Sequence, residues 1–180
     1  KVLVPCDAEE TKHALNAVMN IKGPTYMRLR REKEPILEKS YDYKLGKVAT
    51  MKEGSDVTIA AIGSQVNFAV EAAKILAGEG VDAEVLNVHT LKPLDRGALV
   101  ASAKKTGRVI TTEQHQVNGG LGGAVAEVLA EEYPTPMKIM GVKNIFSETA
   151  RKQSELISHH ELTAEHIAEA TRELIKKTCK

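Results

Sequence analysis

The chain has 180 residues, of which 42% are hydrophobic and 27% charged, enough for one well-buried core with a fragment of a second unit beside it. Its 25 Lys and Arg against 24 Asp and Glu leave a formal charge of +1, and no basic block is interleaved with aromatics, so nucleic acid is excluded as an expected partner. No uninterrupted apolar run approaches the roughly 20 residues of a membrane-spanning helix, and Cys6 and Cys179, at opposite ends, cannot found a disulfide framework or a zinc cage, so a soluble chain in a reducing, cytoplasmic setting is expected.

Lys1-Val2-Leu3-Val4 reads as a strand with no leader pattern before it, and further sequence is expected upstream. Asp7 and Glu10 form a capping pair that opens a helix through Ala14, Leu15, Ala17 and Val18, stopped by Gly23-Pro24. A strand over 25–29 follows. The charged stretch 32–44, interrupted by Pro35, carries neither helical nor strand periodicity and reads as a linker. Two units are therefore expected, 1–35 and 36–180.

Strands are predicted at 47–51, 57–62, 83–88, 108–112 and 137–142. The Lys-Glu-Gly-Ser connection after Met51 predicts a hairpin, with an antiparallel edge strand leading into the apolar run 57–62, whose composition suits a strand covered on both faces. Helices are predicted through Val66 to Ala77, from Asp95 past Ala103, from Gly123 past Leu129, and from Thr163 through Ile175. Alternating strands and helices, with crossovers of roughly 15 to 20 residues, predict a three-layer α/β domain. It has a mostly parallel sheet of about five strands, one antiparallel edge strand and helices on both faces.

Few residues offer chemistry. Arg28, Arg30 and Arg31 follow a strand, and an arginine fork suits a phosphate or carboxylate; strand alternation sends Arg28 and Arg30 to one side and Leu29 and Arg31 to the other. Glu113 to Gly123 runs from a strand end through glycines into a helix. Gly119, Gly120 and Gly122 there permit close packing of loop and helix, or an anion or interface contact at the helix start, without the spacing of a Walker or dinucleotide loop. Glu113 and His115 share a face and suit a local structural hydrogen bond. His159, His160 and His166 lack further ligands for a metal and read as a polar face. Cys6, beside Asp7, reads as a small packing residue.

Val4-Pro5-Cys6-Asp7 with Gly23-Pro24-Thr25-Tyr26-Met27-Arg28-Leu29-Arg30-Arg31 resembles the close of the pyrimidine-binding domain of transketolases. Leu91-Lys92-Pro93-Leu94-Asp95, Glu113-Gln114-His115 with Gly119-Gly120-Leu121-Gly122, and Gly141-Val142 through Phe146-Ser147-Glu148 are similar to the carboxy-terminal domain of that family. The resemblance implies a transferase of two-carbon ketol units between sugar phosphates, using thiamine diphosphate and magnesium in the complete enzyme. It gives residues 1–35 to the end of the pyrimidine-binding domain and 36–180 to the carboxy-terminal domain. The diphosphate motif and the activating glutamate have no counterpart in these 180 residues, so no cofactor is expected on this chain alone, which should be inactive without upstream domains or a separate amino-terminal subunit. A homodimer of the complete assembly is implied. The resemblance assigns substrate phosphate binding to Arg31, with Arg28 as a second candidate and Arg30 standing where the family has Ser. The same region of deoxyxylulose-phosphate synthase or of a 2-oxoacid dehydrogenase β subunit is the alternative, and a stand-alone ligand-binding or regulatory α/β module is another.

Overall fold

A computed structural model describes residues 1–37 and 41–178. The chain opens with β1 (Val2–Leu3), α1 (Ala8–Met19) and β2 (Tyr26–Met27). β1 and β2 pair in parallel, Val2 opposite Tyr26 and Leu3 opposite Met27, so the first unit is a right-sized strand–helix–strand crossover. Asp7 caps α1 by accepting the Glu10 N–H at 2.8 Å, as the sequence predicts. Glu10 reaches back to the Cys6 N–H at 2.5 Å, one residue earlier than in the usual reciprocal arrangement.

The larger sheet contains β3 (Ala49–Lys52), β4 (Val57–Ala61), β5 (Ala83–Asn87), β7 (Val109–Gln116) and β8 (Met137–Val142). Their order is β3-β5-β4-β7-β8. All neighbours run parallel except β3, which is antiparallel to β5 at the edge. The helices are α2 (Gln65–Gly78), α3 (Arg96–Thr106), α4 (Leu121–Glu132), the short α5 (Gln153–His159) and α6 (Ala164–Thr178). Val57, Ile59 and Ala61 share one core with Val66, Ala69 and Leu76 of α2 and Ile167 and Leu174 of α6. Ala60 and Ile62 share the other with Leu99 of α3 and Leu121, Val125 and Leu129 of α4. The period-2 alternation of one apolar strand thus feeds two helical layers, and the three-layer α/β fold class stands.

The hairpin does not form. β3 pairs with β5, Ala49 opposite Asn87 and Thr50 opposite Leu86, while β4 lies between β5 and β7. A strand apolar on both faces belongs at the centre of a parallel sheet. The connection therefore crosses the start of β5, where a Cβ on Gly54 would lie 2.3 Å from Ala83 C and Glu84 N. Two further elements, α5 and β6 (Thr90–Lys92), arise in segments to which the sequence assigns no element. β6 is antiparallel to β1, giving a second sheet of order β2-β1-β6. β7 continues four residues past Thr112.

The linker stretch holds no regular element among its described residues, yet it is fastened. Leu37 N–H donates to Asp7 Oδ2 at 3.0 Å, and the Tyr41 hydroxyl donates to Glu10. Glu10, 3% exposed, also accepts from Asn87 Nδ2 at 2.8 Å. One buried carboxylate therefore joins α1, the linker and the end of β5.

Candidate functional site

The arginine segment leaves β2 at the junction of the two sheets. The Arg28 N–H donates to the Leu3 carbonyl at 2.9 Å, extending the β1–β2 ladder by one bond. Its guanidinium crosses to the larger sheet, where Nη2 donates to the Gln114 carbonyl at 2.7 Å. Arg30 pairs with Glu34 and, at 3.8 Å, with Glu32, and burial lowers its pKa. Arg31 is exposed and makes no ion pair or hydrogen bond among the described residues. Arg28 and Arg30 both line a narrow crevice of about 20 Å³ with Val4, Ile62, Gly63 and Gln114, although β2 ends at Met27 and Arg30 also shares a second cavity with Leu29. The extra charge contributed by Arg30 is thus already balanced by two glutamates. A larger cavity of about 490 Å³ opens beside the segment, bounded by Pro5, Asp7, Leu29, Arg30, Lys33 and Ile36.

The glycine-rich turn is filled from inside the protein. Glu113, 2% exposed, accepts the N–H groups of Leu121 and Gly122, each at 2.7 Å. These are the free amides at the start of α4 that an outside anion would use, so an anion reading of Gly119, Gly120 and Gly122 loses its two best donors. Packing explains the glycines directly. A Cβ on Gly120 would lie 1.9 Å from Glu113 Oε2, and one on Gly122 would lie 2.3 Å from Ile139 Cγ2. Gly119 adopts φ +76, where an L side chain is strained. Burial pushes the Glu113 pKa up, and the two amides, His115 and Arg28 pull it back without cancelling the shift.

His115 does not bond Glu113: its Nδ1 lies 3.8 Å from Oε2 and 2.8 Å from the Gln116 carbonyl. His160 meets Ser147 Oγ at 2.7 Å and His166 meets Thr163 Oγ1 at 2.8 Å, so these imidazoles have separate partners. Cys6 is buried, and that burial, with the carboxylates of Glu10 and Asp7, pushes its thiol pKa far up. Cys179 lies outside the described residues. Among the described residues no three His, Cys, Asp or Glu side chains group as metal ligands, and no helix is long and apolar enough to cross a membrane. With Glu113 occupying the α4 amides, the start of α4 does not fit a diphosphate.

The Arg28–Gln114 contact and the Glu10 junction were not legible in the sequence. Arg28 meets a main-chain carbonyl 86 positions away, which leaves no side-chain signature. Glu10 showed its capping role, but not Tyr41 and Asn87, which meet it only through the fold.

Residues 46–167 match the family described as "Transketolase, C-terminal domain". The chain is 42% identical over 177 residues to the "6-deoxy-6-sulfo-D-fructose transketolase subunit SqwH" of Clostridium sp. (strain MSTE9), covering 98% of this chain and 55% of that protein. It is 33% identical over 177 residues to the 1-deoxy-D-xylulose-5-phosphate synthase of Pelotomaculum thermopropionicum, covering 96% of this chain and 28% of the synthase. A solved structure described as "Split gene transketolase, inactive beta4 tetramer" superposes with a TM-score of 0.92 at 41% identity, covering 97% of this chain and 57% of that one. The chain therefore spans about half the length of the subunit-sized relatives it matches. The match over 46–167, on a three-layer sheet with the expected antiparallel edge, makes this chain a member of the transketolase family that carries its carboxy-terminal domain.

Proposed function

We propose that this chain is the carboxy-terminal section of a transketolase-type transferase, which moves a two-carbon ketol unit between sugar phosphates and needs upstream domains or a separate amino-terminal subunit for turnover. Residues 1–35 would close a pyrimidine-binding domain and residues 36–180 form the carboxy-terminal domain. Thiamine diphosphate and magnesium would be held by the upstream domains or the separate subunit, and the start of α4, whose amides Glu113 already takes, would not serve the diphosphate. The subunit-type names of relatives and the description of a split-gene neighbour as inactive in its β4 form support dependence on a partner. In this reading the completed assembly is a homodimer, and of the glycine-rich turn only Gly119 is exposed to an interface contact, Gly120 and Gly122 being buried against their own chain.

The observation that carries the reading is the state of Arg31. Of three arginines in four positions, Arg28 and Arg30 are engaged within the protein, whereas Arg31 is exposed and unpaired among the described residues. Its planar fork is free to receive two oxygens of a sugar phosphate. This fixes the substrate end remote from the reacting carbonyl and orients the chain of carbons toward the absent catalytic half.

The test is Arg31→Ala in the complete assembly. Loss of a charged hydrogen bond, about 1.5–3 kcal/mol, raises KM for phosphorylated acceptors roughly 10- to 150-fold, with little change for unphosphorylated analogues. Equal losses for both substrate types would remove the phosphate role.

A further inference from the structure

The segment bearing Arg31 has little support of its own. β2 ends at Met27, and from Leu29 to Leu37 no regular element forms. Within that stretch the Arg30 ion pairs with Glu32 and Glu34 are local. Fastening from outside comes at its two ends, where the Leu37 N–H meets Asp7 and the Arg28 side chain reaches the larger sheet at Gln114, and through one long contact between them, Asn67 Nδ2 donating to the Pro35 carbonyl at 3.5 Å.

Gln114 is a well-held anchor. It sits within β7, its side-chain oxygen accepts from Ser64 Oγ at 3.3 Å, and its neighbour Glu113 grips the first amides of α4. The two sheets approach closely here, since a Cβ on Gly63 would lie 2.8 Å from Val4 Cγ1. The crevice that holds the Arg28 guanidinium has about 20 Å³ of space, room for roughly one water and not for a phosphate group.

We infer that Arg28 is a positioning residue: its guanidinium ties the start of the 29–37 segment to the end of β7, so that Arg31 is presented at a fixed place while Arg28 itself does not touch the substrate. This rests on the phosphate reading of Arg31. A mechanical line then runs from Arg31 through Arg28 and the Gln114 carbonyl to Glu113 and the glycine-rich turn. The carboxy-terminal domain thereby acts on substrate binding without supplying a ligand to it.

The experiment uses the complete assembly carrying Arg28→Ala, Arg31→Ala and the double change, with Arg28→Lys as a milder variant that keeps the charge and a donor for the Gln114 carbonyl but loses the planar fork. Hydrogen exchange over residues 29–37 and KM for phosphorylated and unphosphorylated acceptors are both measured. Arg28→Ala should speed exchange in that segment and raise KM for the phosphorylated acceptor roughly three- to tenfold, and Arg28→Lys should restore part of the protection. In the Arg31→Ala background, removing Arg28 should raise KM no further, because a misplaced segment has nothing left to misplace. Unchanged exchange in both Arg28 variants overturns the positioning role, as do multiplicative KM effects in the double variant, which identify Arg28 as a direct ligand. If Arg31→Ala itself leaves the phosphorylated substrate unaffected, the reading of Arg31 fails, and the exchange measurement still decides whether Arg28 holds the segment.

Discussion

Replacing Gly120 by Ala would place a Cβ 1.9 Å from Glu113 Oε2, 2.7 Å from its Cδ and 2.9 Å from Oε1. The backbone at Gly120, φ −105 and ψ −152, is extended and open to L residues, so the cost is steric rather than conformational. The carboxylate cannot swing away freely, because it is buried and holds the Leu121 and Gly122 amides at 2.7 Å each. Displacing it loses one or both charge-assisted bonds and strands donors in the interior, which costs about 2–5 kcal/mol. That is a large part of the ~5–15 kcal/mol that holds a domain together. Urea unfolding followed by circular dichroism reads it as a fall in midpoint at constant slope. Gly123→Ala is the control: a Cβ there meets nothing within 4 Å, and an alanine in the first turn of α4 should be neutral or stabilise by up to about 1 kcal/mol. In a Glu113→Ala background the new Cβ has room, so Gly120→Ala should cost less than about 1 kcal/mol. A Gly120→Ala cost below ~1 kcal/mol in the wild-type background, or additivity with Glu113→Ala, refutes the view that the glycine exists to admit the carboxylate.

Tyr41→Phe removes one donor from the buried Glu10 carboxylate and should destabilise by about 1.5–3 kcal/mol; a neutral result in the same unfolding assay would mean the linker is not held there. His89 is buried, stacked 4.4 Å from Tyr43, and bonded through Nδ1 to Thr90 Oγ1. Burial lowers its pKa below the ordinary 6.5, with Glu10 pulling the other way. The unfolded chain therefore binds more protons than the folded one in the window below 6.5. The stability that His89 contributes is present above that pH and lost as pH falls through the window. His89→Gln should flatten this slope, and an unchanged slope would assign it to another group. In a Cys179→Ser background, Cys6 should resist thiol reagents in the folded protein and react only on unfolding, since burial and two carboxylates oppose the thiolate. Fast stoichiometric labelling at neutral pH counts against that environment.

The three-layer architecture was legible because β4 is buried at every position and apolar at all but Thr58 and each helix shows one buried stripe, so local pattern and global layer agree. The hairpin was misread for a related reason. A short connection permits pairing of neighbouring strands, but the preference of β4 for two parallel neighbours is a property of the finished sheet and is invisible in a four-residue turn. β6 has three residues and pairs with β1, almost ninety positions earlier, so no local periodicity announces it. At the candidate site, the shared side of Arg28 and Arg30 followed from strand alternation, although β2 itself ends at Met27. Which of the three arginines remained free did not follow, because that depends on Gln114 arriving from β7 and on Glu34 curling back upon Arg30.

A glycine-rich passage from strand to helix has the composition of an anion site whether the anion comes from solvent or from the protein. What distinguishes the two is a buried carboxylate eight and nine positions before the amides it accepts, a separation at which only the turn's own path decides whether they meet. Burial acts against the charged form of Glu113 while the amides and the helix start act for it, so the side chain is stable there only if the turn keeps both donors in place. Glycine at 120 is therefore required by the carboxylate, and the carboxylate by the unpaired helix start. Their joint product is a braced end to β7, on whose Gln114 carbonyl Arg28 rests, so that under the proposed role of Arg31 the glycines would act on a phosphate through geometry and not through contact.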